Sequence, residues 1–456
     1  MAIALRPRHA RETNMTEGSI SRHLIDFAMP LLIGNIFQQL YNTVDTWVVG
    51  NYVSNEAFSA VGTVGPIINM LIGIFMGLAS GAGVVISQYF GAKRDEEVAN
   101  TVHTSMMMTI ILAVVFTFLG IFIAPAMLRM MKTPDNVFPE SLAYLRIYFG
   151  GIVGLMVYNM GAGILRAVGD SQRPFYFLIV SAVINTILDL VFVLTFHMGV
   201  EGVAWATVIA QIISAVLTMV VLMRSHSSIR VELGLLKIHM DEMKKIIRVG
   251  IPAAVQMAIT SFSNIFVQSY INYFGADCMS GWTAYAKIDQ LILLPMQSLA
   301  LSSTTFVGQN LGANLPERAA KGIRISLLLS VIATIVLMIP VLIFARPLVG
   351  FFNAKPEVVE YGATLLMWMS PFYVLCCVNQ IYAGALRGAG NSKAPMIIML
   401  MSFVVFRQIY LYVMANYISN EIIPIAMGYP AGWLVCSAAT LIYYRHTSLT
   451  ATRLVE

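Results

Sequence analysis

Three aspartates stand inside long apolar stretches of the 456-residue chain: Asp45, Asp189 and Asp289. An ionised side chain at the centre of a bilayer costs roughly 2.5–3.5 kcal/mol on insertion scales, so acids in such positions mark the places where chemistry is done. Asp45 and Asp189 each follow a proline (Pro30 and Pro174) by fifteen residues, in stretches that begin on the same side. Thr207 lies seven residues into a stretch running the opposite way, which begins near Val200. At the rise of a helix all three reach a similar depth, roughly 8–11 Å from the outer end. Asn185, four residues before Asp189, shares its helix face. Two carboxylates, an amide and a hydroxyl at one depth suit two tasks. Their oxygens can replace the hydration shell of a hard cation such as Na⁺. Two nearby carboxylates also resist ionising together, so one readily carries a proton. The bland alternative is hydrogen-bonded glue between helices.

The chain must supply elements that hold these groups in an apolar solvent. Hydrophobic residues make up 58% and charged residues 11%, with a mean hydropathy of +0.76. Water-soluble domains carry roughly 25% charged residues. Twelve apolar stretches are long enough to cross a bilayer as helices. They start near Leu24, Ala57, Val98, Ser141, Pro174 and Val200, then near Met243, Ser280, Lys321, Glu360, Ala394 and Glu421. They lack the alternation of a β-barrel. With the N-terminus inside, 21 Lys and Arg fall in inner segments and four in outer loops. That asymmetry predicts both termini in the cytoplasm. Nucleic acid is therefore not the partner of the net charge of +5; the lipid bilayer is. Residues 1–14 lack the apolar core of a signal peptide and read as a disordered tail, with Met15 an alternative start.

The sequence also repeats itself. Gly163-Ile-Leu-Arg166-Ala-Val-Gly169-Asp-Ser171-Gln-Arg-Pro174 recurs 221 residues later as Gly384-Ala-Leu-Arg387-Gly-Ala-Gly390-Asn-Ser392-Lys-Ala-Pro395, identical at six of twelve positions. Gln88-Tyr-Phe-Gly91-Ala92 returns as Gln309-Asn-Leu-Gly312-Ala313, and Pro30 is echoed by Pro252. The chain thus reads as two parallel halves of six helices. The divisions expected are a tail at 1–20, a first lobe at 21–223, a linker at 224–242, a second lobe at 243–445 and a tail at 446–456. The acids are not duplicated: Asp45, Asn185 and Asp189 correspond to Phe266, Phe406 and Tyr410. The second half offers Lys287, Asp289 and Arg407 instead, with Gln256, Asn264, Gln290, Gln297 and Asn379 adding neutral polarity. Lys287 and Asp289 are placed either to neutralise each other or to line a cavity.

Together these features resemble the MATE family of multidrug and toxic compound extrusion transporters, over essentially Ser21 to Arg445. The resemblance rests on Leu40-Tyr-Asn-Thr-Val-Asp45-Thr-Trp-Val-Val-Gly50, Gly91-Ala92, the Leu165-Arg166 turn, Asn185-x-x-x-Asp189 and Gly199-Val-Glu-Gly202-Val-Ala-Trp-Ala206-Thr207. It implies an all-α membrane protein with twelve helices in two pseudo-symmetric six-helix lobes around a central cleft. In the DinF-like branch the cation site matches Asp45, Asn185, Asp189 and Thr207 here. The acids that the NorM-like branch carries within the seventh and tenth helices are missing, since Gln256 and the 360–386 span, past Glu360 at its outer end, supply none. Gln38, Asn42, Tyr144, Asn159, Gln256, Lys287, Asp289 and Arg407 are the cleft candidates for substrate. The expected function is antiport of amphipathic, often cationic organic compounds or drugs against inward H⁺ or Na⁺. The expected setting is a prokaryotic plasma membrane, with a monomer and no cofactor. Flexible thioethers and aromatic faces (29 Met, 24 Phe and 19 Tyr) suit adaptable binding of flat, greasy cations. The rivals are a flippase for a lipid-linked saccharide, an exporter of one metabolite, a channel and a membrane-embedded enzyme. No nucleotide-binding, metal or catalytic motif supports an enzyme.

Overall fold

The computed structural model describes the backbone of residues 12–53, 55–131 and 133–455; within these, the side chains of 41–51, 55–59, 66, 261 and 262 are not described. The described residues are helical almost throughout and contain no strand. The helices are α1 (Ile20–Tyr52), α2 (Asn55–Gly91), α3 (Asp95–Met130), α4 (Phe138–Gly150 with Ile152–Ala167), α5 (Gln172–Thr195) and α6 (Gly199–Met223). After a linker come α7 (Met240–Asn272), α8 (Ala276–Gly312), α9 (Pro316–Ile343), α10 (Pro356–Gly388), α11 (Lys393–Ile418) and α12 (Ile422–His446). Among the described residues ten helices are long and apolar enough to span a membrane, and α4, bent by 50° at Gly151, makes an eleventh. Helix α1 has 33 residues, enough for a further span. Most helices begin a few residues before the expected starts, because a polar first turn such as Asp95-Glu96-Glu97 precedes the apolar run and complements the helix dipole. A short helix, Ala345–Phe352, was not anticipated. It buries Ala345 and Val349 and leaves Phe351 exposed, the pattern of an interfacial helix.

The chain forms two compact units: Met1–Asn14 with Ile33–Gly250, and Met15–Leu32 with Ile251–Glu456. In unit 1 the second half of α4 packs closely on α2, and a Cβ on Gly163 would lie 3.1 Å from the Ala79 carbonyl oxygen. The same approach recurs 221 residues on in unit 2, where a Cβ on Gly384 would lie 2.6 Å from the Ala300 carbonyl oxygen. The duplicated turns after α4 and α10 share one construction. Gly169 (φ +85°) and Gly390 (φ +92°) take the left-handed conformation. The Gly169 and Asp170 amides donate to Arg166 and Leu165, and those of Gly390 and Asn391 to Arg387 and Leu386, which is the Schellman end of a helix. The Asp170 carboxylate then accepts the Gln172 and Arg173 amides, and the Asn391 side chain the Ala394 amide, so one residue both follows a C-cap and opens the next helix.

Each unit also clasps a segment that leads into a helix. In unit 2, Met15 is fully buried, its amide donates to Gln309 Oε1 at 2.9 Å, and its carbonyl accepts from Asn310 and Arg318. Met15 is therefore a packed residue ahead of α1, while residues 17–19 after it are exposed; residues 1–11 lie outside the described set. In unit 1, the buried Glu242 of the first turn of α7 accepts from Tyr89 Oη at 2.9 Å, Thr101 Oγ1 at 3.2 Å and Lys245 Nζ at 3.3 Å. Charged hydrogen bonds of this kind contribute about 1.5–3 kcal/mol each. Glu242→Gln is expected to raise the local opening of the first turns of α7 by about tenfold or more. Hydrogen exchange resolved by mass spectrometry reads this, and protection unchanged from the wild type would show that the contacts do not hold the segment.

Candidate functional site

In unit 1 the α5 face carrying Asn185 and Asp189 is turned inward, with side chains 2% and 0% exposed. Asp189 stands six residues before the end of α5 and Thr207 eight residues after the start of α6. That is roughly 9 and 12 Å from the same end of the unit. Thr207 is buried and donates its hydroxyl to the Val203 carbonyl at 3.0 Å, so both lone pairs of Oγ1 remain for a ligand. Two residues after Asp189 the helix widens into a π-turn, Val191–Thr195, a distortion frequent at functional positions.

Helix α4 reaches α6 through glycines: Cβ atoms on Gly151 and Gly154 would lie 2.1 Å from Val208 Cγ1 and 2.8 Å from the Ile212 amide nitrogen. This approach seats buried Tyr144 on the same helix as Tyr148, their rings stacked 6.4 Å apart, with Gln211 donating to Tyr148 Oη at 3.4 Å. Asn159 is half-buried and donates to its own helix at Leu155. Gln38 is half-buried on α1. The side chains of Asn42 and Asp45 lie outside the described residues, so unit 1 displays Asn185, Asp189 and Thr207 of the four expected ligands.

Unit 2 sorts its candidates differently. The Asp289 Oδ1 accepts from Tyr285 Oη at 3.2 Å and from Tyr373 Oη, and the two phenol oxygens are 3.3 Å apart. Lys287 is exposed, since two residues along a helix turn a side chain to the other face, and it makes no ion pair with Asp289. Mutual neutralisation is thereby corrected. Gln256 is buried against Met399, donating to its sulfur at 2.7 Å. Arg407 is 2% exposed and held by neutral groups. It donates to Ser263 Oγ and, at 3.4 Å, to Asn264 Oδ1, and it lies 4.5 Å from the centre of the Tyr429 ring. A π-helical segment, Leu400–Phe406, delivers it. Sequence reasoning missed Tyr285, Tyr373 and Tyr429. The four-residue spacing of Tyr285 and Asp289 could have exposed the first. The other two come from different helices and leave no local signal.

The signature of the MatE family matches residues 30–191 and again 252–413, the same duplication that the sequence repeats. The probable multidrug resistance protein YoeA of Bacillus subtilis is 30% identical over 447 residues, covering 96% of each chain. The probable multidrug resistance protein NorM of Thermotoga maritima is 26% identical over 93% of this chain and 92% of its own. A FAD transporter of Shewanella oneidensis is 25% identical over 84% of this chain and 86% of its own. Among solved structures, the outward-facing conformation of a multidrug resistance MATE family transporter of the MOP superfamily superposes with a TM-score of 0.91 at 21% identity, covering 98% of this chain and 99% of that one. Its helical spans and its match to this family of transporters make it a multi-pass membrane transporter and not an enzyme. The chain belongs to the MatE family.

Proposed function

We propose that the chain is a secondary active exporter of amphipathic, often cationic organic compounds, driven by inward H⁺ or Na⁺ and working by alternating access of its two units. The observation that carries this reading is the burial of Asp189 beside Asn185 on α5, with Thr207 at a similar depth on α6. A carboxylate is retained in an apolar unit where a neutral group would have served for packing alone. Asp45, Asn185, Asp189 and Thr207 form the ion site of this reading. The names of the relatives support the substrate class. The energetics are sufficient: one charge moving through 100 mV releases about 2.3 kcal/mol, and a tenfold gradient of a neutral compound requires about 1.4 kcal/mol. The test is ethidium retention in efflux-deficient cells expressing the chain. Retention several-fold below the vector control, restored to control levels when both ion gradients are collapsed, is expected. Equal retention at confirmed expression contradicts the reading.

A second reading, export of a flat anionic metabolite, draws on Arg407 beside Tyr429 and on the relative that transports FAD. The two readings separate on Arg407→Met. Removing a buried charge that has no carboxylate partner among the described residues is neutral or stabilising, so Tm is expected to stay or rise. Ethidium efflux is expected to stay within about twofold of the wild type, because a cationic substrate gains nothing from a guanidinium. Preserved ethidium efflux with lost flavin release into the medium would instead carry the second reading.

A further inference from the structure

Asp289 is the acid that the ion site of unit 1 does not absorb. Its Oδ1 already takes two phenol hydroxyls, from Tyr285 on its own helix and Tyr373 on α10. Around this trio stands an aromatic and apolar shell. Trp282 lies 5.1 Å from Tyr285 and 5.6 Å from Tyr429, and Trp433 lies 5.7 Å from Tyr373, while Ile288 and Ile292 are buried alongside. The titratable groups facing the site are Tyr285 from α8, Tyr373 and Cys376 from α10 and Tyr429 from α12. Beyond Tyr429 lies the Arg407 guanidinium of α11, and Cys436 of α12 borders Cys376. Among the described residues no Lys or Arg makes an ion pair with the carboxylate, and no group of three metal-ligating side chains surrounds it.

The chemistry of this shell selects the cation it can take. A hard metal ion needs about six oxygen ligands. Here one carboxylate and two phenols are available, with thiols and ring faces beyond them. A proton needs only one oxygen, and protonation removes a charge that, apart from the two phenol donors on Oδ1, the apolar shell does not solvate. We propose that Asp289 is a proton-binding site of unit 2, separate from the ion site of unit 1. An O–H bond forms on Oδ2 with a proton from bulk water, the carboxylate charge is lost, and Tyr285 and Tyr373 hold Oδ1 in place. The site deepens the exporter reading, in which it supplies a second coupling proton, but the binding itself does not require transport.

Infrared difference spectra of the purified full-length protein across a pH titration, in H₂O and D₂O, test this directly. The expected wild-type spectrum contains the C=O stretch of a protonated, half-buried carboxyl. That band persists in Asp189→Asn, disappears in Asp289→Asn and changes frequency in Tyr373→Phe, which removes only one hydroxyl donor to Oδ1. An Asp289→Asn spectrum indistinguishable from the wild type overturns the proposal. Should Asp289→Asn fail to fold, an unmoved band in Tyr373→Phe overturns it instead. Absent ethidium efflux leaves these spectra unaffected, so the failures of the two proposals are distinguishable.

Discussion

Asp189→Asn protein, inserted at the wild-type level, is expected to export ethidium at less than about a tenth of the wild-type rate, since one charged ligand contributes about 1.5–3 kcal/mol and 1.4 kcal/mol is tenfold. The substitution keeps the shape of the side chain and removes its charge. Asp189 is fully buried on α5, so an amide there is cheaper to insert and the protein is not expected to lose yield. The amide cannot take up a proton, and it binds a cation through one weak carbonyl in place of a carboxylate. Asp189→Glu is a second, sharper probe. It keeps the charge but adds a methylene in a closely packed place, which costs about 1–3 kcal/mol. Partial efflux in Asp189→Glu with none in Asp189→Asn identifies the charge as the requirement. Thr207→Val is expected to fall between the two, because its hydroxyl is already tied to Val203 and offers lone pairs only. Efflux is read as the initial rate of fluorescence decay in cells matched for membrane expression. A wild-type rate in Asp189→Asn would remove Asp189 from the ion site.

The largest structural effect is expected at the glycines where α10 meets α8. In unit 2, a Cβ on Gly388 would meet the Thr304 carbonyl oxygen at 2.4 Å, and one on Gly384 the Ala300 carbonyl oxygen at 2.6 Å. These neighbours are helix backbone and cannot rotate away. Thr304 Oγ1 also donates to the Gly384 carbonyl at 2.9 Å, so forcing α10 from α8 breaks a buried hydrogen bond as well. Overpacking of this kind costs about 1–3 kcal/mol or more, and the lost bond adds about 1 kcal/mol. Gly384→Val and Gly388→Val are therefore expected to abolish a monodisperse peak in fluorescence-detected size exclusion. Gly163→Ala in unit 1 is expected to be milder than Gly384→Ala, because the matching contact, with Ala79, is 3.1 Å. Equal thermal stability of Gly384→Ala and the wild type would show that the helices separate more easily than the structure implies.

Much of this architecture was written in local patterns. Apolar run length marks a spanning helix almost by itself, because every backbone group in lipid must be satisfied within the element. The Leu-Arg-x-x-Gly-Asp/Asn-Ser turns were legible for the same reason: a left-handed Gly and an Asx cap are demanded at fixed offsets, and Gly169 with Asp170, and Gly390 with Asn391, meet that demand. The burial of Asn185 and Asp189 followed from their four-residue spacing. What stayed hidden depends on contacts between distant segments. Tyr373 reaches Asp289 across 84 residues, Tyr89 reaches Glu242 across 153, and the Met15 amide reaches Gln309 across 294. Lys287 misled because charge complementarity at two residues' spacing suggests a pair along the chain, whereas a helix sends the two side chains to different faces. The break of α4 at Gly151 was passed over, although the Gly150-Gly151 pair is a local breaker signal inside the apolar run.

The two halves keep their backbone plan while their polar content has diverged. The π-turn after Asp189 has a counterpart at Met414–Ile418 of α11, yet Tyr410 stands where Asp189 would be. In place of the missing acids unit 2 has Asp289 on α8 and Arg407 on α11, with Tyr429 near both. Duplication fixed the scaffold, and each half then took its own ionisable groups.

The central claim is that ion movement drives substrate export through this chain. It is tested most directly with purified protein in liposomes, where proton and sodium gradients are imposed one at a time and substrate flux is followed against its own gradient. The account predicts uphill flux under one of the two gradients, none when both are absent, and loss of that flux in Asp189→Asn. Downhill flux alone, indifferent to either ion, would contradict it and describe a facilitator in place of a coupled exporter.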